Sequence, residues 1–305
     1  MPRKGKIRLT NALPRRAVAL LTALTLLAMF ACSKQPIEQP AGSVVSPLGQ
    51  RITQPIKAVY RPDLFPQQTT VPFTESMVQP LESGVPSADA KLVFSFPLPN
   101  SEASIQVYSG ADSGSGWTGY AAGKHSKWKL GSLSGIPREE AGQIAALNFL
   151  TGDRSGAVLN FPFGDIGARK GIAVYDRTAD TWKIVDFQGH EAVEMDIDKD
   201  GTPEWVGNQT RWVPPALEIH QWSAEKGHFE SAVLQWEPDL FPGPVRNTPS
   251  YSSLFEENGV RFIEIGDDEA YAFFTYEQGM LKQYRPDDTR SRVLEMRQVR
   301  RYGER

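Results

Sequence analysis

The chain of 305 residues has a single cysteine, Cys32, and only four histidines: His125, His190, His220 and His228. One thiol allows no internal disulfide, so stability must come from the core, from hydrogen bonding or from a bound ion. The familiar catalytic signatures are missing too. There is no H-E-x-x-H, no G-x-S-x-G elbow, no Walker loop and no dinucleotide glycine fingerprint. "HEAVE" (190–194) sets His190 and Glu194 at helical spacing, but inside a segment that reads as strand, where the two do not converge on a metal. The Gly-rich "SGADSGSG" (109–116) falls at a hairpin tip and reads as a flexible loop. Acid pairs such as Asp267 and Asp268 would suit a glycosidase, although any acidic surface offers such pairs. Long apolar runs are also lacking. The longest, 17–31, falls short of the roughly 20 residues that span a bilayer.

That run has a different use. Residues 1–16 carry six Lys or Arg and no acid, the apolar stretch follows, and Cys32 stands where an export signal is cut. "MFAC" (29–32) resembles a bacterial lipobox, with Met29 where Leu is usual. The resemblance implies cleavage before Cys32 and lipid on its thiol and new amine, placing the protein on the extracytoplasmic side of the cell membrane, or of an outer membrane. The alternative is an ordinary signal peptide or an uncleaved anchor. Without the leader, 27 basic residues stand against 36 acidic ones, a formal charge of −9. Such a surface argues against nucleic acid as a partner.

Three regions follow: a signal peptide over 1–31, a Pro-rich tether and extended segment over 32–91, and a β-rich domain over 92–305. The apolar residues Val59, Tyr60, Leu64, Phe65 and Phe73 suit the second region to lying along the domain. Its "RPDLFP" (61–66) recurs as "EPDLFP" (237–242), which reads as two proline-stiffened connectors rather than a duplicated unit. In the domain, apolar-aromatic strand pairs surround polar turns at 172–187, 217–234 and 270–284, with a fourth at 105–120. Their starts lie roughly 45–65 residues apart, near the length of a four-stranded propeller blade. Residues 136–152 carry Pro137, Glu139 and Glu140 ahead of apolar positions and end at Gly152, which predicts one helix. The expected fold is mainly β with one helix, built from hairpin or blade repeats as a partial or irregular propeller; the alternative is α+β with an antiparallel sheet. The seven tryptophans lie mostly in strand-like segments and read as core before they read as a binding surface.

The densest chemistry is "AVEMDIDKDGTPEWVG" (192–207). Calcium takes six to eight oxygens, and acids at alternate positions beside a turn glycine let a short loop wrap one ion. Asp196, Asp198, Asp200 and Glu204 would donate side chains and Thr202 its carbonyl. The closing acid comes too early for an EF-hand, and strands rather than helices flank the loop. A solvated Asp-Gly turn is the plain alternative, although four carboxylates repel one another unless a cation neutralises them. The context resembles the FG-GAP/VCBS repeat of bacterial surface proteins and integrin-like propellers. The resemblance implies that "AVEMDI", "EWVGNQ", "LEIHQW" and "HFESAVL" are four strands of one blade, 192–234, with Ca²⁺ in the loop between the first two. Such an ion would be structural, since a cage of protein oxygens leaves little room for substrate.

The expectation is a membrane-anchored, non-enzymatic protein that binds a cell-surface polysaccharide or protein. The alternative is an enzyme that hydrolyses envelope polysaccharide or peptide through a site the sequence does not advertise.

Overall fold

A computed structural model describes residues 58–79, 81–110, 116–161, 170–187, 192–208 and 215–296. The stretches expected to be a signal peptide and the first part of a tether, with Cys32 between them, lie outside these residues. Five short strands come first: β1 (Val59–Tyr60), β2 (Gln68–Thr70), β3 (Thr74–Glu75), β4 (Val78–Gln79) and β5 (Glu82–Ser83). Four antiparallel meanders of four strands each then follow in chain order. The first sheet holds β6 (Lys91–Pro97), β7 (Ser104–Ser109), β8 (Trp117–Ala122) and β9 (Lys127–Leu133). The second holds β10 (Ile144–Ala146), β11 (Arg154–Leu159), β12 (Gly171–Asp176) and β13 (Thr181–Asp186). The third holds β14 (Ala192–Met195), β15 (Glu204–Asn208), β16 (Leu217–Ser223) and β17 (His228–Leu234). The fourth holds β18 (Tyr251–Glu257), β19 (Val260–Gly266), β20 (Ala270–Glu277) and β21 (Met280–Tyr284).

Each hairpin foreseen in the sequence is present, and the unit at 192–234 has the four strands expected of it. The protein is mainly β with blade-like sheets, and no closed barrel occurs among the described residues.

The period-2 alternation explains how the sheets stack. On β12, Ala173 and Tyr175 enter a core shared with the first sheet, while Ile172 and Val174 enter a core shared with the third. In the third sheet, Trp205, Trp222 and Phe229 face the second sheet, and Val206, Ile219 and Leu234 face the fourth. On β20, Ala272, Phe274 and Tyr276 look back toward the third sheet. Tyr271 and Phe273 point the other way, under Tyr60, Val293 and Leu294. No core cluster among the described residues spans the first and fourth sheets. Trp182, Trp205, Trp222 and Trp236 are buried, and Trp117 and Trp128 pack against the core, as expected of core tryptophans; Trp212 lies outside the described residues.

The N-terminal segment is a belt. β2 pairs with β21, β3 with β17, β4 with β13 and β5 with β9, all antiparallel. It therefore covers the outer edge of the fourth, third, second and first sheets in turn, then enters the first sheet as β6. β1 pairs in parallel with β20 at residues 270–271, where β21 does not reach. Exposed edges are templates for unwanted pairing, and the belt covers four of them.

The two "PDLFP" copies meet at this belt. Phe65 stacks on Trp236 at 4.1 Å and meets Phe241 edge-on at 5.3 Å, and Thr69 donates to the Leu240 carbonyl at 2.7 Å.

One expectation fails. Residues 136–152 do not form a helix: a turn leads into β10, which pairs with β11 from Ile144↔Leu159 to Ala146↔Ala157. Gly142 at φ +65 interrupts the helical path, and Ile144 and Leu147 enter different cores. A short helix with little intrinsic stability loses to an open strand edge that needs backbone partners. Helix occurs instead at 292–296, capped by Ser291, whose hydroxyl accepts from the Leu294 N–H at 3.0 Å.

Candidate metal centre

β14 and β15 deliver the acidic loop. Gly201 (φ +91) and Lys199 (φ +63) turn it back through the left-handed region, and Ile197 anchors it in the core between the third and fourth sheets. The loop's own N–H groups orient its acids. Ile197 donates to Glu204 Oε2 at 2.9 Å, Gly201 to Asp196 Oδ2 at 3.1 Å, and Asp200 to Asp198 Oδ1 at 3.2 Å.

Asp196, Asp198 and Glu204 converge, each offering an oxygen within 4.8 Å of the other two. Glu204 is 4% exposed, and burial, followed by the negative charges of Asp198, Asp200 and Asp196, pushes its carboxyl up to about 7 against the opposing Ile197 N–H. Burial, reinforced by the charges of Glu204 and Asp198, likewise raises the nearby Tyr276 hydroxyl. Asp196 Oδ1 is buried and accepts no hydrogen bond. A buried acceptor left unpaired costs about 1–3 kcal/mol, more when charged.

Two of the five residues singled out in the sequence stand outside this group. Asp200 is exposed, and its Oδ1 instead accepts the Thr202 N–H at 2.7 Å. The contact seen at Thr202 is through its N–H. Both residues shape the turn.

The fourth sheet contributes what the loop sequence does not announce. Gln278, in the turn between β20 and β21, donates its N–H to Asp198 Oδ2 at 2.8 Å. Arg261 of β19 donates to the Asp196 carbonyl at 2.6 Å and pairs with Glu256 at 3.0 Å. The loop belongs to the third sheet and is docked on the fourth.

No protein-family model, curated protein or solved structure matches this chain. An all-oxygen donor set, with one acceptor unpaired and one carboxyl forced toward its neutral form, fits a hard divalent cation.

The histidines assemble no comparable centre among the described residues. His125 is exposed, and His190 lies outside them. His220 is the one with catalytic-looking neighbours: Nδ1 lies 3.4 Å from Ser76 Oγ and Nε2 3.3 Å from Glu218 Oε1. Ser76 is 3% exposed and its N–H is tied to the Phe229 carbonyl at 2.8 Å, so the trio pins the belt to the third sheet and offers a substrate no approach. With 144 residues between Ser76 and His220, no sequence motif could have revealed it. Asp267 is also structural. Burial pushes its carboxyl up, but hydrogen bonds from Thr248, two backbone N–H groups and Arg246 outweigh that and hold it below the usual range.

Proposed function

We propose that the protein is a non-enzymatic binding protein of the cell surface, held at the extracytoplasmic face of a membrane by lipid on Cys32 and stabilised by one calcium ion. Asp196, Asp198 and Glu204 would hold the ion, which supplies positive charge to a crowded acidic loop. The observation that carries this reading is the buried, unpartnered Asp196 Oδ1 beside two more carboxylates. The likeness to FG-GAP/VCBS repeats supports it, since the loop joins the first two strands of a four-stranded antiparallel meander. Calcium is favoured over magnesium because the loop offers many flexible oxygens rather than a tight octahedron. The role is structural: the ion would tie the third sheet to Gln278 and Arg261 of the fourth.

Thermal melting tests the metal. A ligand that binds only the folded state at about 100 times its Kd adds about 2.7 kcal/mol. For a domain of this size that corresponds to a rise in Tm of about 5–10 °C. Asp198→Asn keeps an acceptor for Gln278 but removes a charge, and it should abolish most of the rise. Identical melts in calcium and in chelator would overturn the metal assignment.

A further inference from the structure

The belt crosses from the fourth sheet to the third between β2 and β3, at residues 71–73. The acidic loop docks across the same pair of sheets. Val71 of the belt and Ile197 of the loop are both buried and belong to one core. The turn from β20 to β21 links them. It has two residues, Gln278 and Gly279, at φ +47 and +77, the paired left-handed values of a tight hairpin turn. The Gln278 N–H donates to Asp198 Oδ2 of the loop at 2.8 Å, and the Gly279 carbonyl accepts the Val71 N–H of the belt at 2.8 Å. The two contacts sit on adjacent residues of a turn with no slack, so a shift at one is felt at the other.

A second path runs beside the first. The half-buried Phe73 of the belt meets the Tyr276 ring edge-on at 6.4 Å. Tyr276 is tied to the third sheet by its hydroxyl, which donates to Gln221 Oε1 at 2.8 Å, and it lies close enough to Glu204 and Asp198 to feel their charges.

Asp198 therefore has two duties. It is one of three carboxylates that offer oxygens within 4.8 Å of one another, and it is the acceptor that holds the turn. Like charges this close repel unless a cation lies among them. Relief of that repulsion falls on Asp198, because Glu204 is buried and Asp196 has one oxygen buried. Swinging Asp198 outward gives up the Gln278 N–H. We propose that the acidic loop latches the belt: a cation on Asp196, Asp198 and Glu204 keeps Asp198 on the β20–β21 turn, the turn keeps Val71, and the belt is firmly seated at 71–73 only while the loop is neutralised. The proposal rests on the metal reading above and adds what that site controls. Toward the N-terminus from the latch come β2, β1 and then residues 1–57, so the cation sets how firmly the end of the belt that leads to Cys32 is held.

Native-state hydrogen exchange of the full-length protein, followed by NMR in excess calcium and in excess chelator, reads the latch without any substitution. Exchange through local opening reports the equilibrium of that opening. A hydrogen bond to a charged acceptor shifts such an equilibrium about tenfold. Removing calcium should thus speed exchange at the Val71 amide by about that factor. The Gly84 amide, which donates to the Lys127 carbonyl at 3.0 Å at the far end of the belt, should keep its rate. Equal acceleration at both amides would mean that the ion stabilises the fold as a whole, and the latch would fall. Coupling between two sites is reciprocal, so a loosened belt must weaken the ion in turn. Phe73→Ala, which alters no carboxylate, should raise the calcium Kd measured by calorimetry about fivefold, and Glu82→Ala at the far end should leave it unchanged. Calcium that binds and raises Tm, with Val71 exchange and the Phe73→Ala affinity both unmoved, overturns the latch and leaves the metal reading standing. Melting that does not depend on calcium removes both.

Discussion

Glu264 on β19 is fully buried and is gripped from four sides. The Tyr251 hydroxyl donates to it at 2.9 Å, the Ser291 hydroxyl donates to the same oxygen, and the Arg292 and Val293 N–H groups donate at 2.8 and 3.3 Å. It thereby ties the start of the 292–296 helix to the fourth sheet. Burial, the dominant influence, raises its carboxyl above the ordinary value of 4.5, against the opposing effect of these donors. A raised folded-state value means that the folded protein holds the proton more tightly than the unfolded chain. Its contribution to stability is therefore complete below the unfolded value and is lost as pH rises through the folded one. Glu264→Gln can turn its amide so that the oxygen faces the two N–H groups and the nitrogen faces the hydroxyls. The stability of wild type relative to this variant should fall as pH rises above the ordinary carboxyl value of 4.5. A difference that stays flat as pH rises in denaturant melts would show that Glu264 titrates normally.

At the scale of elements, the belt shows what a sequence reveals and what it hides. The long strands were legible because alternation over six to eight residues, broken by polar turns, has few other readings. β1 to β5 are two or three residues each, too short for any period. The segment from 136 to 152 misled because its helix-start residues are real but its glycine at 142 and an unpaired β11 edge decide otherwise. In the acidic loop, Asp196, Asp198 and Glu204 were legible because the constellation is local; Gln278 and Arg261, from another sheet, were not. Phe65 measures how firmly the belt is held, because it is 5% exposed and touches Trp236, Phe241 and Phe274. Removing a buried phenylalanine costs about 3–5 kcal/mol. Phe65→Ala should thus lower Tm by about 10 °C. A shift under about 2 °C would mean that the belt rests on the sheets without holding them.

At the scale of the molecule, the order of pairing matters more than any single pair. The belt is the first described segment of the chain, yet its partners end at residues 133, 186, 234 and 284. A ribosome delivers the belt early and its docking sites one by one, with the site for β2 last. Pairing across such sequence separations is slow, because loop-closure entropy is lost before contacts repay it. Assembly should run like a zip drawn from β5 back toward β1, against the direction of synthesis. Pulse-labelled hydrogen exchange during refolding should show protection at β5 and β9 before β2 and β21, whereas simultaneous protection of all four edges would contradict a sequential zip. The end of the belt that seats last is the end joined to residues 1–57, so whatever pulls on those residues loads the newest seam first.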